Sequence, residues 1–151
     1  MEPCFGGGVM SDCSRNAFNV PHIPKSAVLS IKPRFAEAIF SERKTVEYRK
    51  SGLRHGVDGI YIHICGEDPA CVQGFVSYSG CICGEPSDVW EKTKDMGCVT
   101  EEEFFDYFKG AKTAYALQLK EAIKFRNPLC LKRLGLTRPP QGVAYVKGVE
   151  R

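Results

Sequence analysis

Three charged residues stand close together in one short segment: Lys44, Glu47 and Arg49. The residues around them alternate with the two-residue period of a β-strand, which places Glu47 and Arg49 on one face. Val46 and Tyr48 then take the opposite face. Burying such charges requires that they pair with one another or bind an anionic or polar ligand. The segment therefore predicts either a structural Glu47–Arg49 ion pair or a binding site, with Lys44 at the mouth of the strand.

Motifs of other well-known sites do not occur. The 151 residues contain no Walker loop, GxGxxG, HExxH or GxSxG pattern. The three histidines, at positions 22, 55 and 63, are too scattered along the chain to indicate a site. We expect His63 to be a half-buried, hydrogen-bonded residue on a strand face.

Eight cysteines are present, but none forms the CxxC pair that is typical of zinc ribbons. The N-terminus has neither a basic leader nor an apolar block, and no apolar stretch approaches the roughly 20 residues that span a bilayer. We therefore expect no export signal and no membrane partner. The expected location is intracellular, in the cytoplasm or, in a eukaryote, the nucleus, where thiols stay reduced. The cysteines are interpreted as structural thiols, and neither a metal nor a cofactor is predicted.

The formal net charge of +3 is unevenly distributed along the chain. Residues 25–56 hold eight Lys or Arg and three acids, and residues 111–151 hold nine basic residues and two acids. Between them, residues 84–110 hold three Lys and eight acids. If the two basic segments meet in space, they form one surface suited to a polyanion, with the acidic block opposite or beside it. A solvated surface of mixed charge is the alternative.

Apolar runs and turn residues predict an arm followed by one domain. Residues 1–25 are rich in Gly, Pro, Ser and Asn and are predicted to be a flexible arm, with a single domain over 26–151. Gly74 and Gly80 predict bulges, and Pro128 is expected to lie beyond the end of a strand. Strands predominate over helices without a βα repeat, which predicts an α+β fold, a small mixed β-barrel with flanking short helices. We predict strands over 27–31, 45–49, 59–65, 71–83, 114–124 and 142–146, helices over 33–41, 86–95 and 100–110, and a helical turn at 131–134.

The order of these segments resembles the ASCH domain, part of the PUA-like superfamily. The family motif is commonly written GxKxxExR, and this chain reads ERKTVEYR over residues 42–49, so that Glu42 replaces the leading glycine. The resemblance covers roughly residues 27–147. It continues through residues 89–94, 104–109 and 138–141.

The resemblance implies a PUA-like barrel whose cleft, edged by the first helix and the motif strand, binds RNA or another nucleic acid. Carried over position by position, the resemblance places Lys44, Glu47 and Arg49 in the lining of the cleft. Lys32 lies near its rim, and Gln141 belongs to a further wall. The basic side chains would contact phosphates, and the glutamate would accept a hydrogen bond from a base amino group.

Two classes of function follow from the resemblance. The preferred one is a nucleic-acid-binding module for RNA or a modified nucleotide, with a regulatory role, in which Tyr48, Tyr61 or His63 stacks on an unpaired base. A role in the core is the alternative for Tyr48. The alternative is a hydrolase acting on RNA or on an acetylated nucleoside, with Lys44 and Glu47 as catalytic residues. Related amidohydrolases have a threonine at the position of Glu47, which argues against that activity. A protein-binding adaptor is a third alternative, and the sequence leaves the oligomeric state open.

Overall fold

The computed structural model describes residues 25–147 and builds them from six strands and three α-helices. The strands are β1 (Lys25–Ile31), β2 (Val46–Arg49), β3 (Val57–Ile64), β4 (Cys71–Gly84), β5 (Ala114–Cys130) and β6 (Val143–Lys147). The helices are α1 (Pro33–Phe40), α2 (Pro86–Thr93) and α3 (Glu101–Tyr107), and a short 3-10 turn spans Leu131–Leu134. Apart from Lys25, the predicted arm lies outside the described residues, as do residues 148–151. None of the helices in this part of the chain is long and apolar enough to cross a membrane.

The six strands form one mixed sheet in the order β2-β5-β4-β3-β1-β6. β1 runs parallel to β3, and the other neighbouring strands are antiparallel. A closed barrel requires every strand to pair on both sides. Within residues 25–147, however, β2 pairs only with β5 and β6 only with β1. The predicted α+β class is confirmed, and the predicted closed barrel is wrong because the sheet is open.

α1 packs against the sheet directly after β1. Ala36 and Ile39 lie one helical turn apart and share a buried cluster with Leu29 of β1. Pro33 occupies the first turn of the helix, where its missing N–H costs no helical hydrogen bond. Since only Lys32 separates β1 from α1, the residues at this junction are held at the end of the strand, beside the start of the helix.

A second apolar cluster joins β2 to α2 and α3. Val46 and Tyr48 face this cluster, as the strand period predicts, together with Trp90 of α2 and Phe104 of α3. The Tyr48 and Phe104 rings meet edge-on, with centroids 4.8 Å apart. Thr100 begins α3 with a capping box that satisfies two backbone N–H groups. These contacts hold α3 next to the motif strand.

Bulges in the β4–β5 pair explain why one strand end was predicted wrongly. β5 continues through Pro128 to its end at residue 130. Beside Gly74 the register shifts so that residues 125–128 of β5 face a single residue of β4. Pro128 lies in this bulge, where its missing N–H breaks no ladder hydrogen bond. The register also shifts beside Gly80, whose φ is 124°, so the bulges predicted at both glycines are confirmed.

Candidate functional site

The loop between α1 and β2 turns Lys44 toward the interior. The backbone N–H groups of Arg43 and Lys44 both donate to the Ala38 carbonyl, at 2.9 and 3.0 Å. The turn includes a left-handed residue, Glu42, with φ of 63°. The motif that the chain resembles has glycine at this position, and glycine adopts this conformation without a steric cost. A glycine would adopt this turn without strain, whereas Glu42 adopts it at a steric cost.

The Lys44 side chain is buried, with 1% of its surface exposed. Its Nζ donates to the Gly97 carbonyl at 2.5 Å and lies 3.5 Å from Glu47 Oε1. The same ammonium group lies 4.4 Å from the centre of the Phe35 ring. Burial lowers the Lys44 pKa, and the Glu47 carboxylate opposes this shift. Lys44 stands two residues before β2, and its Nζ bonds to a carbonyl 53 residues further along the chain.

Gly97 can approach Lys44 because the loop before α3 lies directly against β2. Two N–H groups at the start of β2 donate to the Met96 carbonyl, at 2.8 and 3.3 Å. A Cβ atom at Gly97 would overlap the Tyr48 ring, so the position has no room for a side chain. The Tyr48 hydroxyl forms a hydrogen bond of 2.7 Å with Thr93 Oγ1. Tyr48 is therefore mainly a core residue that holds this loop in place.

Glu47 and Arg49 pair along one face of β2, as the strand period predicts. Arg49 Nε donates to Glu47 Oε2 at 3.0 Å, and Arg49 Nη2 donates to the Ser30 carbonyl at 3.0 Å. Glu47 thus lies between two cations, with Lys44 near one oxygen and Arg49 on the other. Each charge is largely removed from water, and each is compensated by its neighbours. The three motif residues form one connected charge network.

A cavity of about 460 Å³ opens beside this network, and its lining includes all three motif side chains. Lys32 and Arg34, at the start of α1, add two exposed cations to the lining. Every cation among the described residues of the lining therefore belongs to the first basic segment, residues 25–56. The volume lies in the range of about 300–1,000 Å³ that is usual for small-molecule sites.

A second wall of the cavity is acidic and aromatic and comes from α3. Glu103, Asp106 and Tyr107 contribute to it. One Glu103 oxygen accepts from Arg34 Nη2 at 2.6 Å, and the other accepts from the Thr100 N–H at 2.9 Å. Glu103 therefore links Arg34 of α1 to the first turn of α3. The acidic segment of the chain lies beside the first basic segment, one of the two arrangements considered from the sequence.

The structure places several predicted residues outside the cavity lining. Gln141 is exposed and does not line it, and the second basic segment adds none of its described lining. His63 is 3% exposed, which leaves no face for stacking. Tyr61 packs edge-on against Phe75, with centroids 4.9 Å apart, and does not line the cavity either.

Ser30 connects the cavity to the segment before β6. Its hydroxyl donates to the Pro140 carbonyl at 2.8 Å and, having one proton, accepts from His63 Nδ1 at 2.9 Å. The hydrogen-bonded role expected for His63 is confirmed, but the residue is fully rather than half buried. Its Nε2 has no hydrogen-bond partner among the described residues. Burial lowers the His63 pKa.

The six cysteines within residues 25–147 are free thiols. Burial raises the pKa of the Cys81 thiol to about 11, which disfavours the reactive thiolate. In this part of the chain, no group of three or more His, Cys, Asp or Glu side chains is arranged to hold a metal ion. The charge network, with its cavity, is therefore the candidate site that we consider further.

Sequence patterns did not identify several residues of the lining, among them Arg34, Asp106 and Tyr107. Arg34 is one of several basic residues near the motif, and nothing in its spacing distinguishes it. Asp106 and Tyr107 follow an apolar run that indicates only a helix. One signal was present, because Tyr107 lies off the stripe formed by Phe104 and Phe108, and a large aromatic residue away from the packed stripe of a helix often marks a contact surface.

Comparison with known proteins places these features in a family context. None of the protein-family profiles matches the chain. The chain is 28% identical over 130 residues to an ASCH domain-containing ribonuclease of Zymomonas mobilis, with 83% of this chain and 87% of that protein covered. It is 27% identical over 124 residues to the large ribosomal subunit protein uL22 of Ureaplasma parvum, but it spans only 40% of that protein's length.

Solved structures agree with the sequence comparison. A crystal structure of a mutant ASCH protein from Zymomonas mobilis superimposes with a TM-score of 0.70 and 30% identity, covering 82% of this chain and 89% of the other. The structure of ASCH from the same organism gives a TM-score of 0.67 at 29% identity, covering 80% and 87%. The shared fold over most of both chains, with the motif residues joined in one network at the cavity, shows that this chain belongs to the ASCH domain family.

Proposed function

We propose that this protein binds single-stranded RNA, or one nucleotide with a modified base, by admitting a single nucleotide into the cavity beside Lys44, Glu47 and Arg49. The observation that carries the proposal is the cavity of about 460 Å³, lined by the buried charge network and by the exposed Lys32. The name of one relative, an ASCH domain-containing ribonuclease, supports RNA as the ligand class. An RNA ligand also fits the intracellular location and regulatory role expected from the sequence.

The cations of the cavity have different roles in this proposal. Lys44 and Arg49 are already bonded to Glu47 and to backbone carbonyls, so they supply positive potential from fixed positions. Lys32 forms no ion pair within residues 25–147 and is free to contact a phosphate. Arg34 exchanges its bond to Glu103 for one to the ligand. Charge-assisted hydrogen bonds of this kind are the strongest that a phosphate forms with side chains.

The shape of the cavity favours an unpaired nucleotide over a duplex. Its volume matches a small-molecule site, and α3 forms a wall on one side. Proteins that recognise RNA sequence mostly bind unstacked bases of single strands, loops and bulges. A base that leaves the strand and enters the cavity would keep its phosphate at the rim, near Lys32.

A charge-reversal variant tests this proposal. Lys32→Glu is expected to weaken binding of a short single-stranded RNA about tenfold, because an attractive phosphate contact becomes repulsive. Fluorescence anisotropy measures the affinity. Lys132→Glu is the matched control, since Lys132 is also an exposed lysine but lies on the 3-10 turn, outside the cavity lining. Equal loss in both variants, or no binding by the folded wild-type protein, contradicts the proposal.

RNA cleavage at the same cavity is the second candidate function. It is favoured by the lowered pKa of Lys44 beside Glu47, because an ammonium group with a lowered pKa is a stronger acid. In a transesterification, the 2′ oxygen forms a bond to phosphorus and the bond from phosphorus to the 5′ oxygen breaks. Glu47 would take the proton from the 2′ hydroxyl, and Lys44 would give one to the leaving 5′ oxygen.

Cleavage makes a separate prediction from binding. The wild-type protein is expected to convert a short RNA into a product with a 2′,3′-cyclic phosphate, detected by mass spectrometry, and to leave the same sequence of DNA intact. Lys44→Met should abolish product formation while Glu47 keeps its bond to Arg49. Circular dichroism checks that the variant is folded. Undiminished product with the folded Lys44→Met protein, or no product with wild type, rejects the catalytic assignment.

A further inference from the structure

We infer that the α3 wall reads the nucleobase, with Tyr107 stacking on an unpaired base and Asp106 accepting hydrogen bonds from its edge, and that this arrangement selects guanine. The inference rests on the proposed RNA-binding function and names the base class that the cavity takes. The two residues it assigns, Asp106 and Tyr107, are adjacent on α3 and are not part of the motif.

Tyr107 is exposed in a way that packing does not explain. It is 43% exposed and belongs to a small group of large apolar side chains with this much exposure in the described chain, alongside Met96 and Ile123. Of these, Tyr107 is the one that lines the cavity. Its ring packs edge-on against Phe108, with centroids 4.8 Å apart, so its orientation is supported by the core.

A cation already lies against this ring. Lys50 Nζ is 4.9 Å from the centroid of Tyr107 and is exposed. A base stacked on the ring carries its sugar and phosphate at the edge of the stack, within reach of a flexible lysine. Tyr107 and Lys50 therefore combine an aromatic surface for a base with a cation for its phosphate, the usual pair of elements in single-strand binding sites.

Asp106 is the carboxylate of the cavity whose side chain has no partner within residues 25–147. Glu47 is bonded to Arg49, and Glu103 is bonded to Arg34 and to the cap of α3. Asp106 lines the cavity and is exposed, next to the stacking residue. A carboxylate accepts hydrogen bonds and donates none, so it selects ligand edges that carry N–H groups.

The four bases differ in how they meet a carboxylate. Guanine presents two neighbouring donors, N1–H and the 2-amino group, which match the two oxygens of one carboxylate. Adenine and cytosine present an amino group next to an acceptor nitrogen, and uracil presents one N–H between two carbonyls. Each of these places a lone pair against the carboxylate. Guanine is therefore the base that Asp106 favours, and one good bidentate pair discriminates by roughly tenfold or more.

The test compares five-nucleotide RNAs that differ only in the central base, with uracil at the other positions. Guanine at the centre is expected to bind about tenfold more tightly than adenine or cytosine. An RNA with inosine at the centre, which keeps N1–H but lacks the 2-amino group, should bind with an affinity between these two. Asp106→Asn, whose amide has one acceptor oxygen, should remove most of the guanine preference. Fluorescence anisotropy supplies the affinities.

Tyr107 is tested with a conservative and a truncating change. Tyr107→Ala is expected to weaken binding of every RNA by at least about fivefold, whereas Tyr107→Phe keeps the ring and should bind like wild type. Ile123→Ala is the matched control, because Ile123 is 60% exposed and lies outside the cavity lining. A merely structural role for Tyr107 would lower the melting temperature of the alanine variant without changing its affinity at a temperature where it is folded.

The outcomes separate this inference from the proposed function. If the wild-type protein binds all central bases equally, and Tyr107→Ala binds as well as Ile123→Ala, base reading by α3 is wrong while RNA binding stands. If the folded protein binds none of the RNAs, the proposed function fails and the inference fails with it. A preference for guanine that persists in Asp106→Asn overturns the assignment to Asp106.

Discussion

Glu42 carries a backbone conformation that costs free energy in any residue with a Cβ atom. Its φ of 63° lies in the left-handed region, where such residues lose roughly 1–2 kcal/mol. The Glu42 side chain offsets little of this free-energy cost, because it is exposed and its Oε2 lies 3.4 Å from the Ala122 N–H nitrogen. The turn persists because the N–H groups of the next two residues bond to the Ala38 carbonyl.

Replacing Glu42 by glycine is expected to raise the free energy of unfolding by up to about 1 kcal/mol. Glycine removes the steric cost of the positive φ but loses more backbone entropy on folding, so the gain is partial. Urea unfolding measures the change. Glu42→Ala is the control: it removes the same side-chain contact but keeps the strained Cβ, and it should not stabilise the protein. Equal stability of the two variants would show that φ is relaxed in solution.

At the scale of single residues, local relationships were predictable and distant ones were not. The Glu47–Arg49 pair follows from the strand period, which puts positions two apart on one face. Lys44 differs, because its partner Gly97 lies 53 residues away in a loop without periodicity. Local patterns could not predict that contact, nor the burial of Lys44 that accompanies it.

At the scale of elements, the Ser30–His63 hydrogen bond joins β1 to β3, and the Ser30–Pro140 bond joins β1 to the segment before β6. His63 Nδ1 must carry a proton to serve this arrangement, and its Nε2 has no partner within the described residues. A second proton on the ring would place a charge in a buried site. Burial lowers the His63 pKa for this reason, and Glu67 opposes the shift.

This pKa shift predicts a loss of stability in acid. The unfolded chain takes up the proton near pH 6.5, whereas folded His63 does so only at lower pH. Between these two values the unfolded state binds more protons, so stability falls as the pH drops below about 6.5. His63→Asn keeps a donor for Ser30 but cannot be protonated. Between pH 7.5 and pH 5.5, the urea midpoint of unfolding should fall more for wild type than for this variant. Equal falls would refute the role of His63.

Elements defined by short patterns were largely predictable, and those that depend on a partner were not. The stripe of α1 and the period of β3 are local, and both elements formed close to the expected bounds. β5 continued through Pro128 because a shift in the partner strand β4 creates a bulge there. Closure of the sheet likewise depends on which strands meet, and β2, with only four residues, pairs on one side alone within the described chain.

At the scale of the whole molecule, the second basic segment adds no residue to the part of the cavity lining that the structure describes. Within residues 25–147, the cations of the lining come from residues 25–56, and α3 brings acids to the same cavity. The charge pattern of the sequence left open whether the acidic block lies opposite or beside the basic residues, and the structure places its α3 residues beside the first basic segment. The charge pattern could not show which segment faces the site, because that depends on the sheet order.

Limited charge at the site predicts a modest salt dependence of RNA binding. In the proposed RNA complex, three exposed cations, Lys32, Arg34 and Lys50, contact phosphates. At about 0.7 per single-stranded phosphate contact, the logarithm of the binding constant should fall with the logarithm of salt concentration with a slope of about −2. Anisotropy titrations at several salt concentrations measure it. A slope several times steeper would mean that both basic segments contact the RNA.

The pairing of β1 with β6 also has a consequence for how the protein is made. β6 follows β1 by roughly 110 residues, which take roughly 5–20 s to translate. Until then one edge of β1 has no strand beside it, and an open edge of this kind can recruit other chains. The motif strand β2 likewise lacks its pairing strand until β5 has been synthesised. The cavity beside β2 is therefore completed only after β5 has been synthesised.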